Sequence, residues 1–168
     1  MIKFRGVNIF GNEWLYGNLV KIEENRYSIL PEINDMPTCK CIADYDVNHN
    51  TIGRFTGLFD KNGKEIYERD YISIIYKYEG IANGCAIPDH DCICYGEVVY
   101  MDGFACFGLR LHKAEYPISQ ELKECQYLTV PLLQFDLECD SIEVFGNVFD
   151  NPESVSYTHL RAHETRRH

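Results

Sequence analysis

"TGLFDKNGKEIYERDYISI", residues Thr56 to Ile74, is the stretch on which the reading of the fold turns. The run "RFTGLFD" reads as a strand, "KNG" as a turn, "KEIYE" as a short strand, and Asp70 opens a long strand, "YISIIYKYE". Asn62-Gly63 supplies two residues that tolerate the positive φ a tight hairpin prefers. A small, strongly bent barrel begins in this way, with Ile66 and Tyr67 packing inward across the corner. Asp60 and Asp70 carry short side chains suited to accepting hydrogen bonds from nearby turn amides. The competing reading makes Asp60, Glu65, Glu68 and Asp70 a carboxylate cluster for a hard metal or for acid-base work. Such a site draws on groups from distant segments as well, whereas a run of acids in one turn is ordinarily solvated. The corner is therefore read as geometry.

Outward from this corner the apolar residues keep a period of two, the mark of half-buried strands. Ile72, Ile74, Tyr76 and Tyr78 share one face against Ser73, Lys77 and Glu79. Ala105, Phe107, Leu109 and Leu111 oppose Cys106, Arg110 and His112. Ile142, Val144 and Val148 oppose Glu143, Phe145 and Asn147, and Trp14, Tyr16, Val20 and Ile22 line up near the start. Asp102-Gly103 marks a second hairpin, between "GEVVYM" and "FACFGL". The one helix signal is the short "PISQELKEC", with Ser119 as its cap. The fold class is mainly β with little helix. Two stretches read as long loops, the polar 31–50, in which Ile42 and Tyr45 serve as anchors, and 79–92, which is rich in turn formers. Long loops are often functional.

The closing "SVSYTHLRAHETRRH" differs from everything before it and holds three of the six histidines, His159, His163 and His168. It matches the conceptual translation of a transposase sequencing adapter, so residues 155–168 are read as an artefactual tail and the genuine C-terminus as missing. About 150 residues then remain, enough to bury roughly two thirds of the unfolded surface without metal or disulfides. The formal charge is −10; removing Arg161, Arg166, Arg167 and Glu164 takes away a net +2 and leaves −12. A surface that acidic repels phosphate backbones, so direct nucleic-acid binding is disfavoured. The N-terminal "MIKFRGVNIFG" lacks the apolar core of a signal peptide, and no apolar run approaches the roughly 18 residues a membrane helix needs. The expectation is a cytoplasmic protein with no membrane contact, whose eight cysteines are reduced thiols.

Four blocks carry a resemblance. "IKFRGVNIFGNEWLYGNLV", "IGRFTGLFDKNGKEIYERDYISI", "YGEVVYMDGFACFGLRL" and "IEVFGNVFDNPE" follow one another from Ile2 to Glu153. Within them Thr56, Gly57, Leu58, Asp60, Gly63, Ile66, Tyr67 and Asp70 form a middle signature, and Gly146, Asn147, Asn151 and Pro152 a closing one. The chain resembles the YopX family of phage and prophage proteins. The resemblance implies a YopX-like unit over residues 1–154, divisible into an N-terminal part, 1–54, and an SH3-like barrel part, 55–154. It implies self-association, and no catalytic residues to transfer. One departure stands out: the family pattern reads Tyr-Glu-Gly-Asp where this chain has Tyr67-Glu68-Arg69-Asp70. Either the backbone at Arg69 is ordinary, or Arg carries a strain of about 1 kcal/mol that Gly would relieve.

Chemistry could otherwise reside in the cysteines. Cys39 and Cys41, and Cys85, His90, Cys92 and Cys94, lie on or beside the two long loops, and four such ligands would suit tetrahedral zinc. Zinc ribbons favour two residues between paired cysteines, however, and Cys-x-Cys on a strand points its sulfurs to opposite faces. Cys94, Cys106, Cys125 and Cys139 read as small apolar residues. The expectation is no cofactor and no metal; were there a metal, Cys85, His90, Cys92 and Cys94 would hold it. A cysteine nucleophile needs an oriented histidine, and nothing local pairs His49, His90 or His112 with a particular thiol; His112 reads as a surface residue. No phosphate-cradling glycine loop or nucleophile-elbow motif is present. The functional expectation is a non-enzymatic phage accessory protein that binds itself and a host or phage protein, with "EIYERDYISIIYKY" and "VPLLQFDL" as interface segments. The alternatives are a nucleic-acid-linked module, either a weak binder or an acidic decoy, and more remotely a zinc or thiol enzyme.

Overall fold

The computed structural model describes residues 2–32, 35, 37–82, 85–114, 129–135 and 142–150; for 77–82, 85–90, 92, 113 and 114 it describes the backbone alone. The chain divides into two compact units between Gly57 and Leu58. The first holds β1 (Phe4–Val7), β2 (Trp14–Glu23), β3 (Arg26–Leu30) and β4 (Asp46–Val47), and β5 (Gly53–Phe59) carries the chain onward. The second holds β6 (Glu65–Tyr67), β7 (Asp70–Ala82), β8 (Cys85–Met101), β9 (Cys106–Ala114), β10 (Thr129–Pro131) and β11 (Ile142–Asn147). The chain is mainly β, and no helix among the described residues is long and apolar enough to cross a membrane.

In the first unit the antiparallel order is β4-β3-β2-β1-β5. The sheet curls until β4 meets the end of β1: Asn8 bridges Val47, Ile9 N donates to Asp46 O at 3.0 Å, and Asn48 N donates to Val7 O at 2.9 Å. Ile29, Tyr45 and Val47 are buried there. Close approach is written into the glycines, since a Cβ on Gly17 (φ 153°) would run into the Leu30 carbonyl oxygen. The polar stretch 31–50 is more ordered than a loop: 3-10 turns at Ile42–Tyr45 and His49–Thr51 flank β4. Tyr45 anchors it as expected, whereas Ile42 is exposed. The expected common face of β2 is also diluted, for Trp14 and Val20 are half-buried while Tyr16 and Ile22 are exposed.

In the second unit the order is β10-β9-β8-β7-β11, antiparallel throughout. Its inner face is the alternation read from sequence: Ile72 and Ile74, Cys94 and Val98, Leu109 and Leu111, Ile142 and Val144 bury together with Ile66, Val130 and Leu132. Four expectations need correction. The stretch 79–92 is not a loop; its described backbone extends β7 and β8 into a long hairpin, in which Gly80 pairs Ile87 and Tyr78 pairs His90. Pro88 falls in the bulge that this uneven count creates, where its missing N–H costs no ladder bond. The two hairpin turns use other residues than supposed: Gly63 (φ 78°) alone takes positive φ in the first, and Ala105 (φ 50°), not Gly103, in the second. A bulge between Val144 and Gly146 flips the parity of β11, so Asn147 is buried. Finally, β10 and β11 are unjoined edge strands among the described residues, so this sheet is open and not the closed SH3-like barrel. The expected helix around Ser119 and the tail lie outside the described residues.

Candidate functional site

Asp60 is 2 % exposed and directly follows β5. Its Oδ1 accepts from Asn62 N at 2.8 Å and Lys64 N at 2.9 Å, and its Oδ2 from Val144 N at 3.3 Å and Asn62 Nδ2 at 3.4 Å. Lys61 N donates to Ile142 O at 2.9 Å, and Lys61 Nζ meets Glu143 at 2.7 Å. One carboxylate thus shapes the turn and fastens it along the edge strand β11. Burial pushes the Asp60 pKa up, but the amides of Lys64, Asn62 and Val144 outweigh it and hold the group below the ordinary Asp value. Asp70, equally buried, accepts from Tyr67 N at 2.8 Å, and Glu65 accepts from the Tyr67 hydroxyl at 2.7 Å. Between them Arg69 takes φ 69°, the left-handed conformation that a glycine would adopt freely. Its N–H donates to Val98 O at 2.7 Å, its C=O accepts from Val148 N at 3.0 Å, and its guanidinium lies 5.4 Å over the Phe149 ring. These acids are spent on local geometry.

The outer face of the same sheet is aromatic. Phe145 stacks on Tyr71 (6.1 Å, 17°), and Tyr95 meets Phe145 edge-on at 6.2 Å. His112 meets Tyr71 edge-on at 5.9 Å. His112 is therefore not the surface residue its strand parity suggested. Its Nε2 is buried with no hydrogen-bond partner among the described residues. Burial pushes its pKa down, Arg110 adds to that, and Glu97 opposes it. Around this cluster Ile75 is 44 % and Phe145 40 % exposed, and Ile93 and Val99 are half-buried.

A cleft of about 420 Å³ opens in the first unit, between residues 7–9 and 12, 25–27, and 46–49. Asn8 builds one wall: its Oδ1 accepts from Phe10 N and Gly11 N, and its Nδ2 donates to Asp44 O at 2.7 Å. Opposite, the buried Asp46 accepts from Arg26 Nε at 2.7 Å and from Ser28 Oγ. Sequence reading missed this cleft because its walls come from three turns far apart in the chain. The available signal was the density of Asn and Asp in "VNIFGNE" and "DYDVNHN", residues that bond their own turns.

The backbones of Cys85, His90 and Cys92 lie on β8, their side chains outside the described residues, and Cys94 is fully buried in the core. Cys39 and Cys41 are exposed. Among the described residues no three His, Cys, Asp or Glu are grouped to hold a metal.

No curated protein matches the chain. Among solved structures, the crystal structure of protein EF1440 from Enterococcus faecalis is similar at 23% identity, covering 92% of this chain and 98% of that one with a TM-score of 0.45. The family model described as YopX protein matches residues 3–155, nearly every residue of the four blocks quoted above. The chain belongs to the YopX family.

Proposed function

We propose that this is a non-enzymatic accessory protein of phage or prophage origin, working in the bacterial cytoplasm by association with a second copy of itself and then with a protein partner. The observation that supports this reading is the outer face of the second sheet. An antiparallel sheet with one face on the core ordinarily shows polar residues on the other; here Ile75 and Phe145 are exposed beside Tyr95, Ile93 and Val99. Such apolar surface marks an interaction site. Two cations among its described side chains are paired with acids, Arg110 with Glu97 at 3.1 Å and Lys61 with Glu143 at 2.7 Å, which favours a protein surface over a phosphate backbone. Light scattering on the purified chain tests the reading. An assembly of at least two copies supports it, and a monomer at micromolar concentration overturns it. Capture of partners from bacterial lysate with and without nuclease separates a protein partner from the nucleic-acid-linked alternative.

A further inference from the structure

We infer that the cleft of the first unit is a binding site for a peptide carboxylate, with Arg26 as its anchor. Among the described residues Arg26 and Asp46 are the only groups of fixed charge on the cleft wall. The Asp46 carboxylate is committed, one oxygen to Arg26 Nε and the other to Ser28 Oγ. The pairing runs through Nε, so it holds the guanidinium plane in place, while among the described residues the two Nη groups meet only the exposed Glu23, at 4.0 Å from Nη1. A guanidinium oriented from behind by a buried carboxylate presents a fork matched to a second, planar carboxylate. The two acids nearby, Asp46 and Glu23, disfavour a dianion, which selects a monoanionic carboxylate over phosphate. The rest of the wall suits a peptide: the exposed carboxamides of Asn12 and Asn25 each offer a donor and an acceptor. Ile9, 53 % exposed on the rim, offers apolar contact to a flanking side chain. The volume is in the range of sites that take small ligands or a few residues of peptide.

The experiment is an NMR titration of the isotope-labelled full chain with four probes: N-acetylated Ala-Leu-Ala with a free carboxylate, the same tripeptide amidated, N-acetylated and amidated Ala-Glu-Ala, and inorganic phosphate. Saturable shifts at the amides of Asn12, Arg26 and Asn48 are expected with a carboxylate-bearing peptide. Comparison of the first and third probes tells a terminal from a side-chain carboxylate, and either supports the site. The amidated tripeptide should bind at least about tenfold more weakly, and Arg26→Gln should cost a similar factor. Because Arg26→Gln also leaves Asp46 buried without its partner, Asn25→Asp provides a second variant. It places a like charge on the exposed rim, leaves the Arg26–Asp46 pair intact and should weaken binding by up to about fivefold. The inference is overturned if no probe gives saturable shifts at these amides, if the amidated tripeptide binds equally well, if Asn25→Asp leaves binding unchanged, or if phosphate binds more tightly than the peptides.

Discussion

Arg69 and His112 each sit where their residue type is least comfortable. Arg69 occupies the left-handed region, which costs a side-chain-bearing residue about 1 kcal/mol. Its backbone nonetheless spans Val98 on β8 and Val148 just past β11, so the conformation is held from both sides. Arg69→Ala and Arg69→Gly both lose the Phe149 contact, but Gly alone is free of the strain. Chemical denaturation should therefore find Arg69→Gly more stable than Arg69→Ala by about 1 kcal/mol; equal stabilities would refute the strain. His112 is packed against Tyr71, with Glu97 and Arg110 as its charged neighbours, and its pKa is lowered chiefly by burial. The unfolded chain therefore takes up the proton first, and folding stability falls as pH drops below the ordinary histidine value of about 6.5. His112→Leu should flatten this limb of the stability profile between neutral pH and about pH 5, and a limb unchanged in the variant would show that another group causes it.

At the scale of elements, Asp60 joins a turn to an edge. An open edge strand is a template for unwanted pairing, and β11 is covered by the turn that Asp60 organises, through Val144 and Ile142. Asp60→Ala leaves the buried Val144 amide without its acceptor and should cost about 2 kcal/mol in denaturant unfolding. Because the Asp60 pKa is depressed in the folded state, its stabilisation is complete above the unfolded value of about 3.9 and is lost as pH falls through the folded pKa. The acid limb below pH 4 should therefore shrink in Asp60→Asn relative to the wild-type chain, and an unshrunken limb would refute the assignment. This element was legible in the sequence because it is local: Asp60, Asn62 and Gly63 are neighbours that act on one another. The strands were legible for the same reason, as the alternation of Ile72, Ile74, Leu109 and Leu111 records their burial directly. What escaped was decided between segments. The turn formers of 79–92 suggested a loop, yet pairing with β7 makes it strand. His112 faces outward by parity, yet Phe145 and Tyr71 build a second layer beneath which it lies. The cleft escaped as well, since Arg26 meets Asp46 through the pairing of β3 with the distant β4, and the curl that brings β4 back to the end of β1 closes the walls.

For the whole molecule, a family shared over residues 3–155 and two compact all-β units describe a scaffold whose acids and glycines serve turns. The surplus over that scaffold is apolar: Ile75 and Phe145 stand on the outer sheet face. Because that face is separate from the core under Ile72 and Ile74, charges placed on it should leave folding intact while ending association. Sedimentation velocity of the full chain beside the variant Ile75→Lys, which leaves the Phe145–Tyr71 stack in place, measures this directly. The predicted result is an assembly of two or more copies for the wild-type chain and a folded monomer for the variant; equal sedimentation of the two would contradict the account.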